Sequence, residues 1–337
     1  MKKTKDTVSP IRPTVINGHL NAVYPALVLL AAMELELFTF LKRDGKKAEK
    51  LAEEMSVRVS KLRPLLYALV SAGLLEHSDG KFFNTSEAEE FLVKGETRYF
   101  GDSYSTYQDL WRSTLFTAQS IQKGIPQAKH DFTTMSSEEL YGFIIGLDSG
   151  AGATARRLHR TYDFSRFQTI LDAGGGSGGL AVELANLCSG SKLTVLELPS
   201  IASIARQRIL ESKVSNRVEV VDGDLTNSRC CTQNFDAIIL RSVIQVLGLE
   251  KSASVIKNLS ACLSEDGEFY VIGRVLNDDR LGPAEAVSAN VMFLNIYDAG
   301  GAFTISEYRT LFVKNGLFLR DRVLLSGGYT MMVFVKN

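Results

Sequence analysis

The sequence predicts a mostly helical N-terminal domain followed by an α/β domain on a mainly parallel sheet. Three observations carry this. Residues 14–97 read as helices followed by a hairpin, and residues 98–165 continue as helix. From Thr169 onward, short apolar strands alternate with helices, and the first strand runs straight into a glycine-rich turn. The expected divisions are therefore 14–97, 98–165 and 166–337.

In the first division, apolar residues recur on one helical face through Ala26–Leu41. Lys47–Met55 and Ser60–Ala72 follow as shorter helices, with Ser60 as N-cap and Gly73 as stop. Leu74–His77 and Lys81–Asn84 then flank a Ser78-Asp79-Gly80 turn, the pattern of a hairpin. Helices closed by a hairpin make a winged-helix pattern, which often binds DNA. Here the helix that would enter the groove carries only Lys61 and Arg63, both in its first turn, and is otherwise apolar. Packing, including against a second subunit, explains such a helix better. The middle region holds Tyr99, Phe100, Tyr104, Tyr107, Trp111 and Phe116. Core packing accounts for most of these; one or two could line a pocket.

The expected strands are Thr169–Asp172, Lys192–Leu196, Val218–Val221, Ala237–Leu240 and Phe269–Ile272. Leu180–Leu187, Ile201–Lys213 and Ser252–Leu263 are the helices between them. That alternation predicts a mainly parallel sheet covered on both faces. Val323–Leu325 and Tyr329–Val335 read as a final antiparallel pair around Gly327-Gly328.

Composition narrows the function. Lys plus Arg equals Asp plus Glu at 38 each, which argues against nucleic acid as the main partner. The cysteines Cys188, Cys230, Cys231 and Cys262 and the histidines His19, His77, His130 and His159 show no ligand spacing, so no metal site is expected. Residues 1–13 read as a loose polar lead-in rather than a secretory signal. The longest apolar run, Ala22–Ala32, is short for a bilayer and contains Pro25, so no membrane contact and a cytoplasmic setting are expected.

The strongest motif is Leu171-Asp172-Ala173-Gly174-Gly175-Gly176-Ser177-Gly178-Gly179. Glycines let the chain turn sharply and let a ligand approach the backbone at the carboxyl edge of the sheet. A glycine-rich turn alone is weak evidence, since dinucleotide sites use one too. Three acids sharpen it. Asp172 precedes the glycines, where it can face an amino group. Glu197 ends the second strand, the position that grips ribose hydroxyls. Asp224 follows the third strand, where it could accept from an adenine amino group. Acids at three successive strand ends suit adenosine plus an ammonium better than they suit phosphates. Surface capping could explain any one of them, but explains all three badly.

With these residues in place, the chain resembles the caffeic-acid-type O-methyltransferase family over almost its whole length. Residues 26–92 resemble that family's winged-helix dimerisation domain. Tyr162-Asp163-Phe164, the glycine-rich turn, Leu196-Glu197-Leu198-Pro199, Gly223-Asp224-Leu225 and Gly300-Gly301 followed by Thr304 and Glu307 fall in the family's order. The resemblance implies a Rossmann-like class I methyltransferase domain with a mainly parallel seven-stranded sheet, a homodimer, a small-molecule acceptor and S-adenosyl-L-methionine (SAM) as cofactor. It places Gly174 and Gly176 near the methionine moiety, Glu197 and Leu198 at the ribose, Asp224 and Leu225 at the adenine, and Arg241 where the family has a Lys.

One departure from the family matters chemically. Gln245 stands where the family presents a catalytic His, and Gly273 where it has the acid that orients that His. An amide cannot take up the acceptor's proton, which leaves Gln245 a positioning role. Methyl transfer is an in-line attack on a sulfonium carbon, so alignment is the essential requirement. A base is needed only for a nucleophile that must shed a proton early. A thioether sulfur has no proton, and a neutral amine can lose its proton afterwards. Either no base is needed, or His130, Tyr107, Tyr141 or Asp298 does the base work, or the site is inactive. Within the family, Ile16–Pro25 and the overall length resemble marine bacterial S-methyltransferases of 4-methylthio-2-hydroxybutyrate, on the route to dimethylsulfoniopropionate. That resemblance implies a thioether carboxylate as acceptor, with O- or N-methylation of a natural product, phenol or amine as the alternative. Tyr107, Trp111, Tyr141, Arg274, Asn295 and Asp298 are the acceptor-site candidates, and Arg112, Arg156, Arg157 and Arg160 are further cations for a carboxylate.

Overall fold

The computed structural model describes residues 11–228, 230, 231 and 233–337, so most of the lead-in lies outside the described residues. The chain forms two compact units, one up to Tyr104 and one from Ser105. The helical stretch 105–165 belongs to the second unit.

The first unit contains α1 (Thr14–Asn21), α2 (Val23–Glu34), α3 (Leu37–Phe40), α4 (Ala48–Glu54), α5 (Val59–Ser71), the hairpin β1 (Leu75–Ser78) and β2 (Lys81–Asn84), and α6 (Ser86–Leu92). The hairpin turn needs two left-handed residues, and Asp79 and Gly80 supply them at φ 51° and 73°. The single helix expected over Ala26–Leu41 is broken by left-handed Glu36, and the turn sends Leu37 and Phe38 into the core beside Leu51, Leu66 and Phe82. Ser60 is not the N-cap of α5, which starts one residue earlier; Arg58 precedes it without a side-chain cap. The apolar residues of α5 are spent locally, since Leu62, Leu66 and Leu69 are buried in the unit's own core.

The expectation that no segment could span a bilayer needs correcting. Thr14–Glu34 is a 21-residue helical stretch long and apolar enough by length and composition, and mostly unburied in the single chain. Pro25 does not interrupt it because it falls in the first turn of α2, where its missing N–H is not needed.

The second unit opens with α7 (Tyr104–Thr114), α8 (Thr117–Lys123), α9 (Ser137–Gly146) and α10 (Asp148–Tyr162). The α/β part then runs β3 (Thr169–Ala173), α11 (Gly179–Leu187), β4 (Lys192–Glu197), α12 (Pro199–Leu210), β5 (Val218–Asp222), β6 (Phe235–Arg241), α13 (Ile244–Ser260) and β7 (Leu263–Leu276). It closes with α14 (Ala284–Ile296), β8 (Phe303–Thr304), α15 (Ile305–Val313), β9 (Leu317–Leu324) and β10 (Tyr329–Lys336). The main sheet has seven strands in the order β5-β4-β3-β6-β7-β10-β9, and the two-residue β8 pairs with the end of β7 as an eighth. The central strands are parallel and β10 is antiparallel to both its neighbours. Successive residues of β3 serve opposite cores, Ile170 with Leu180, Leu184 and Val195, and Leu171 with Leu196, Leu240 and Leu259. Both faces are therefore covered, as the unbroken apolar strands require.

The glycine-rich turn leaves β3 where the strand order reverses, between β4 and β6. That switch point is where an open α/β sheet has its crevice. The helix expected from Ser252 starts earlier, at Ile244, and carries a break at Gly248 (φ 76°, ψ 171°). A Cβ at Gly248 would lie 2.5 Å from the Ala299 carbonyl, so glycine is what allows that close approach.

Candidate active site

The cofactor half is built on three neighbouring strand ends. Gly174, Gly176 and Gly178 have φ of 69°, 60° and 79°, conformations that a side chain resists. A Cβ on Gly174 would also meet Val243 at 2.6 Å. Glu197 is buried and accepts from the Gly176 N–H (3.1 Å) and the Leu198 N–H (2.7 Å), so it shapes the glycine loop as well as facing it. Asp224 is half-buried; its Oδ1 accepts from Thr226 N and Oγ1, which orients the carboxylate and leaves Oδ2. Leu225 is buried and would contact a Cβ on Gly174.

Electrostatically this half awaits a cation. Asp172 is buried, and its Oδ2 has no hydrogen-bond partner. Burial pushes Asp172 up to about 7 despite the charge of Arg241, and burial pushes Glu197 up to about 7 as well. A ligand with hydroxyl and ammonium donors relieves both carboxylates, and the bare glycine backbone leaves room for it. These residues fit SAM.

The acceptor half converges from distant segments. Gln245 is buried in the first turn of α13, held by two hydrogen bonds. Its carbonyl accepts from the Gly301 N–H at 2.9 Å, and its Oε1 accepts from the Arg274 N–H at 3.1 Å. A Cβ at Gly273 would sit 3.1 Å from that Oε1, so the glycine is the space the Gln245 side chain uses. The Nε2 end of the same amide only donates. Arg274 continues outward, donating to the Gly327 carbonyl and lying over the Tyr329 ring at 4.8 Å. Tyr107 is part-exposed, yet burial raises its pKa, and Tyr329 and Arg274 are near enough to act on its charge. Trp111 packs with Tyr107 at 6.0 Å between ring centres.

The other candidates are less gathered. Asn295 is fully buried and donates to Thr117 Oγ1 and the Val291 carbonyl. Asp298 is exposed and pairs with Lys129 at 2.6 Å. Tyr141 is exposed on α9. Of the further cations, Arg156 is engaged by Glu183.

Comparison with known proteins shows the family. Residues 117–318 match the O-methyltransferase domain and residues 18–94 the O-methyltransferase dimerisation domain. The chain belongs to the O-methyltransferase family. It is a methyltransferase, and its methyl donor is SAM. Among its relatives is the S-adenosyl-L-methionine-dependent methyl transferase PigF of Serratia sp., 26% identical over 93% of both chains. Another is the N,N-dimethyltransferase OxyT of Streptomyces rimosus, 23% identical over 94% of both chains. The crystal structure of human N-acetylserotonin methyltransferase in complex with SAM shares the fold, with a TM-score of 0.82 at 23% identity and full coverage of both chains. None of these is named as a thioether S-methyltransferase, so the narrower marine resemblance gains no support from them.

One cluster escaped the reading of the sequence, and one candidate, His130, has a partner that the sequence did not reveal. Asp148, at the start of α10, hydrogen-bonds Ser177 of the glycine loop and pairs with Arg208, clamping the loop from outside. Its signal was faint: an Asp just ahead of Gly150 and Gly152 in a helical region. His130 is buried against Asp109, Nε2 to Oδ2 at 2.8 Å, and no motif links those two positions.

Proposed function

We propose that the protein transfers the methyl group of SAM to the sulfur of a small thioether carboxylate such as 4-methylthio-2-hydroxybutyrate, in line and without a base at position 245. The observation that carries this is Gln245. Its amide has no basic atom, its Oε1 accepts from the Arg274 N–H, and Gly273 supplies no acid in its place. A nucleophile with no proton to lose is the chemistry that tolerates such a site.

In this reading the turn at Gly174 and Gly176 lies along the methionine moiety, with Asp172 near its amino group and Arg241 beside Asp172. Glu197 and Leu198 meet the ribose, and Asp224 and Leu225 the adenine. When bound, SAM supplies a methyl made electrophilic by the sulfonium. The chain supplies orientation: Gln245 sets the floor, and the Arg274 guanidinium binds the acceptor's carboxylate, with Tyr107 beside it. The faces of Tyr107, Trp111 and Tyr329 suit the positive charge that develops on the accepting sulfur. The catalytic unit is a homodimer through residues 18–94, supported by the dimerisation-domain match and by Val15, Ile16, Leu20, Tyr24 and Leu27, which are exposed in one chain.

A second reading is favoured by the relatives' names: O- or N-methylation of a natural product, with the proton taken up elsewhere. Labelled SAM offered with thioether acids, amines and phenols separates the two. Label transfer to the thioether acids alone supports the first reading; label on phenols or amines alone replaces it with the second.

A further inference from the structure

One polar pair in the acceptor half has no part in this transfer. His130 lies in the loop between α8 and α9 with its side chain 5% exposed, and its Nε2 is 2.8 Å from Asp109 Oδ2 on α7. A carboxylate only accepts, so Nε2 carries a proton, and in the neutral imidazole Nδ1 is then the acceptor. That Nδ1 is buried and has no hydrogen-bond partner. The rings of Phe143 and Tyr297 stand edge-on to the imidazole at 5.0 and 6.1 Å and give it nothing polar.

The pair is anchored to the rest of the acceptor half. The Ala128 and His130 N–H groups donate to the carbonyls of Asn295 and Ile296 at the end of α14, both at 2.9 Å. Asn295 presents the same anomaly, since its Oδ1 is buried with no partner. Tyr297 packs where a Cβ on Gly300 would fall, next to the Gln245 carbonyl. Burial raises the pKa of Tyr297, and the charges of Asp109 and Tyr329 act in the same direction. A buried acceptor left unpaired is destabilising. Two such acceptors on segments laced together by backbone bonds point to a ligand that brings donors.

We propose that His130, held by Asp109, is a specificity-determining residue whose Nδ1 accepts a hydrogen bond from a hydroxyl or N–H group of the acceptor, distinct from the atom that is methylated. This rests on the thioether-acid reading. It predicts that the acceptor carries three features: the nucleophilic sulfur, a carboxylate and a donor. Asp109 matters because it fixes the tautomer that leaves Nδ1 free to accept.

The test compares 4-methylthio-2-hydroxybutyrate with 4-methylthiobutyrate, which lacks only the hydroxyl. The wild-type enzyme is expected to prefer the hydroxy acid by about tenfold or more in kcat/KM, the equivalent of one good hydrogen bond. His130→Phe, which keeps an aromatic ring but no acceptor, should bring that ratio close to one. His130→Gln should restore part of the preference, and Asp109→Asn should weaken it. Equal use of the two acids by the wild-type enzyme overturns the proposal without any variant, and so does a ratio that His130→Phe leaves unchanged. Should neither acid accept a methyl group while a phenol or amine does, the thioether reading itself has failed, an outcome distinct from equal use of both.

Discussion

The two halves of the active site are made in different ways. The cofactor half stands on the ends of β3, β4 and β5, adjacent parallel strands whose register is continuous from Ala173 opposite Leu196 to Glu197 opposite Asp222. Its acids follow one another along the chain in the order they stand along the sheet edge. The proposed acceptor half draws Tyr107, His130, Gln245, Arg274, Tyr297 and Tyr329 from helices, loops and a late antiparallel strand. In the proposed reading the first half holds a common cofactor on a rigid edge, and the second can change its chemistry without disturbing that edge. Gln245 would illustrate this, standing where the resemblance places a base while the glycine turn and its acids stay intact.

That contrast can be broken most forcefully at Glu197. Glu197→Ala removes a buried carboxylate that also holds the Gly176 and Leu198 N–H groups, so SAM affinity should fall by the upper part of about 1–3 kcal/mol. Asp224→Ala should cost the lower part of that range, because Asp224 is half-open and its turn partner Thr226 remains. Calorimetric affinities like wild type for both variants would remove the basis for this cofactor site.

An effect of similar kind, but confined to the acceptor half, is expected at Arg274. Arg274→Met should raise KM for a carboxylate acceptor by about tenfold or more and leave SAM affinity alone. An unchanged KM, or a parallel loss of SAM binding, would mean that the halves are not separable in this way.

The protonation state of the cofactor half sharpens the contrast further. Asp172 and Glu197 are both raised to about 7 by burial, from ordinary values of 3.8 and 4.5. The folded, cofactor-free site therefore keeps protons that the unfolded chain has already lost. These groups make the cofactor-free protein less stable as pH rises from about 4 towards 7. A cationic ligand favours the ionised carboxylates, so SAM binding should release protons below pH 7. Affinity should then climb by up to about tenfold per pH unit for each carboxylate that must ionise. Titrations at pH 6 and 8 in buffers of different ionisation enthalpy measure both effects; flat affinity with no proton release would contradict the assignment.

The smallest effects are expected at Gln245. Gln245→Ala should slow turnover a few-fold through lost positioning. Gln245→His should not speed methylation of a thioether, because the new imidazole has no proton to remove. A several-fold gain on a phenol, with a new rise in rate around a pKa of about 6.5, would instead mark an O-methyltransferase that has lost its base.

Reading the sequence went furthest where structure is local. The five central strands and the glycine turn follow from period and composition; the strand ends moved, most of all at β7, which starts at Leu263 rather than Phe269 and runs on to Leu276. The errors came where a neighbour distant in sequence overrules local pattern. Glu36 breaks an apparently continuous helix so that Leu37 and Phe38 can reach their core. Pro25 passes harmlessly because of where the helix happens to start.

What the sequence by itself determined is the sheet, the glycine-rich turn at the end of its first strand and the presence of glutamine at position 245. These depend on side-chain alternation, on glycines at left-handed positions and on one residue's identity, all carried by contiguous stretches. Only the tertiary structure decided what Gln245 does instead, because its Oε1 is claimed by a backbone N–H 29 residues away and its turn is separated from the rest of α13 by Gly248. It likewise decided that His130 meets Asp109 and keeps an unpaired nitrogen. A hydrogen bond between a loop and a helix is fixed by how the two elements pack, and packing of that kind leaves no period in the chain to read.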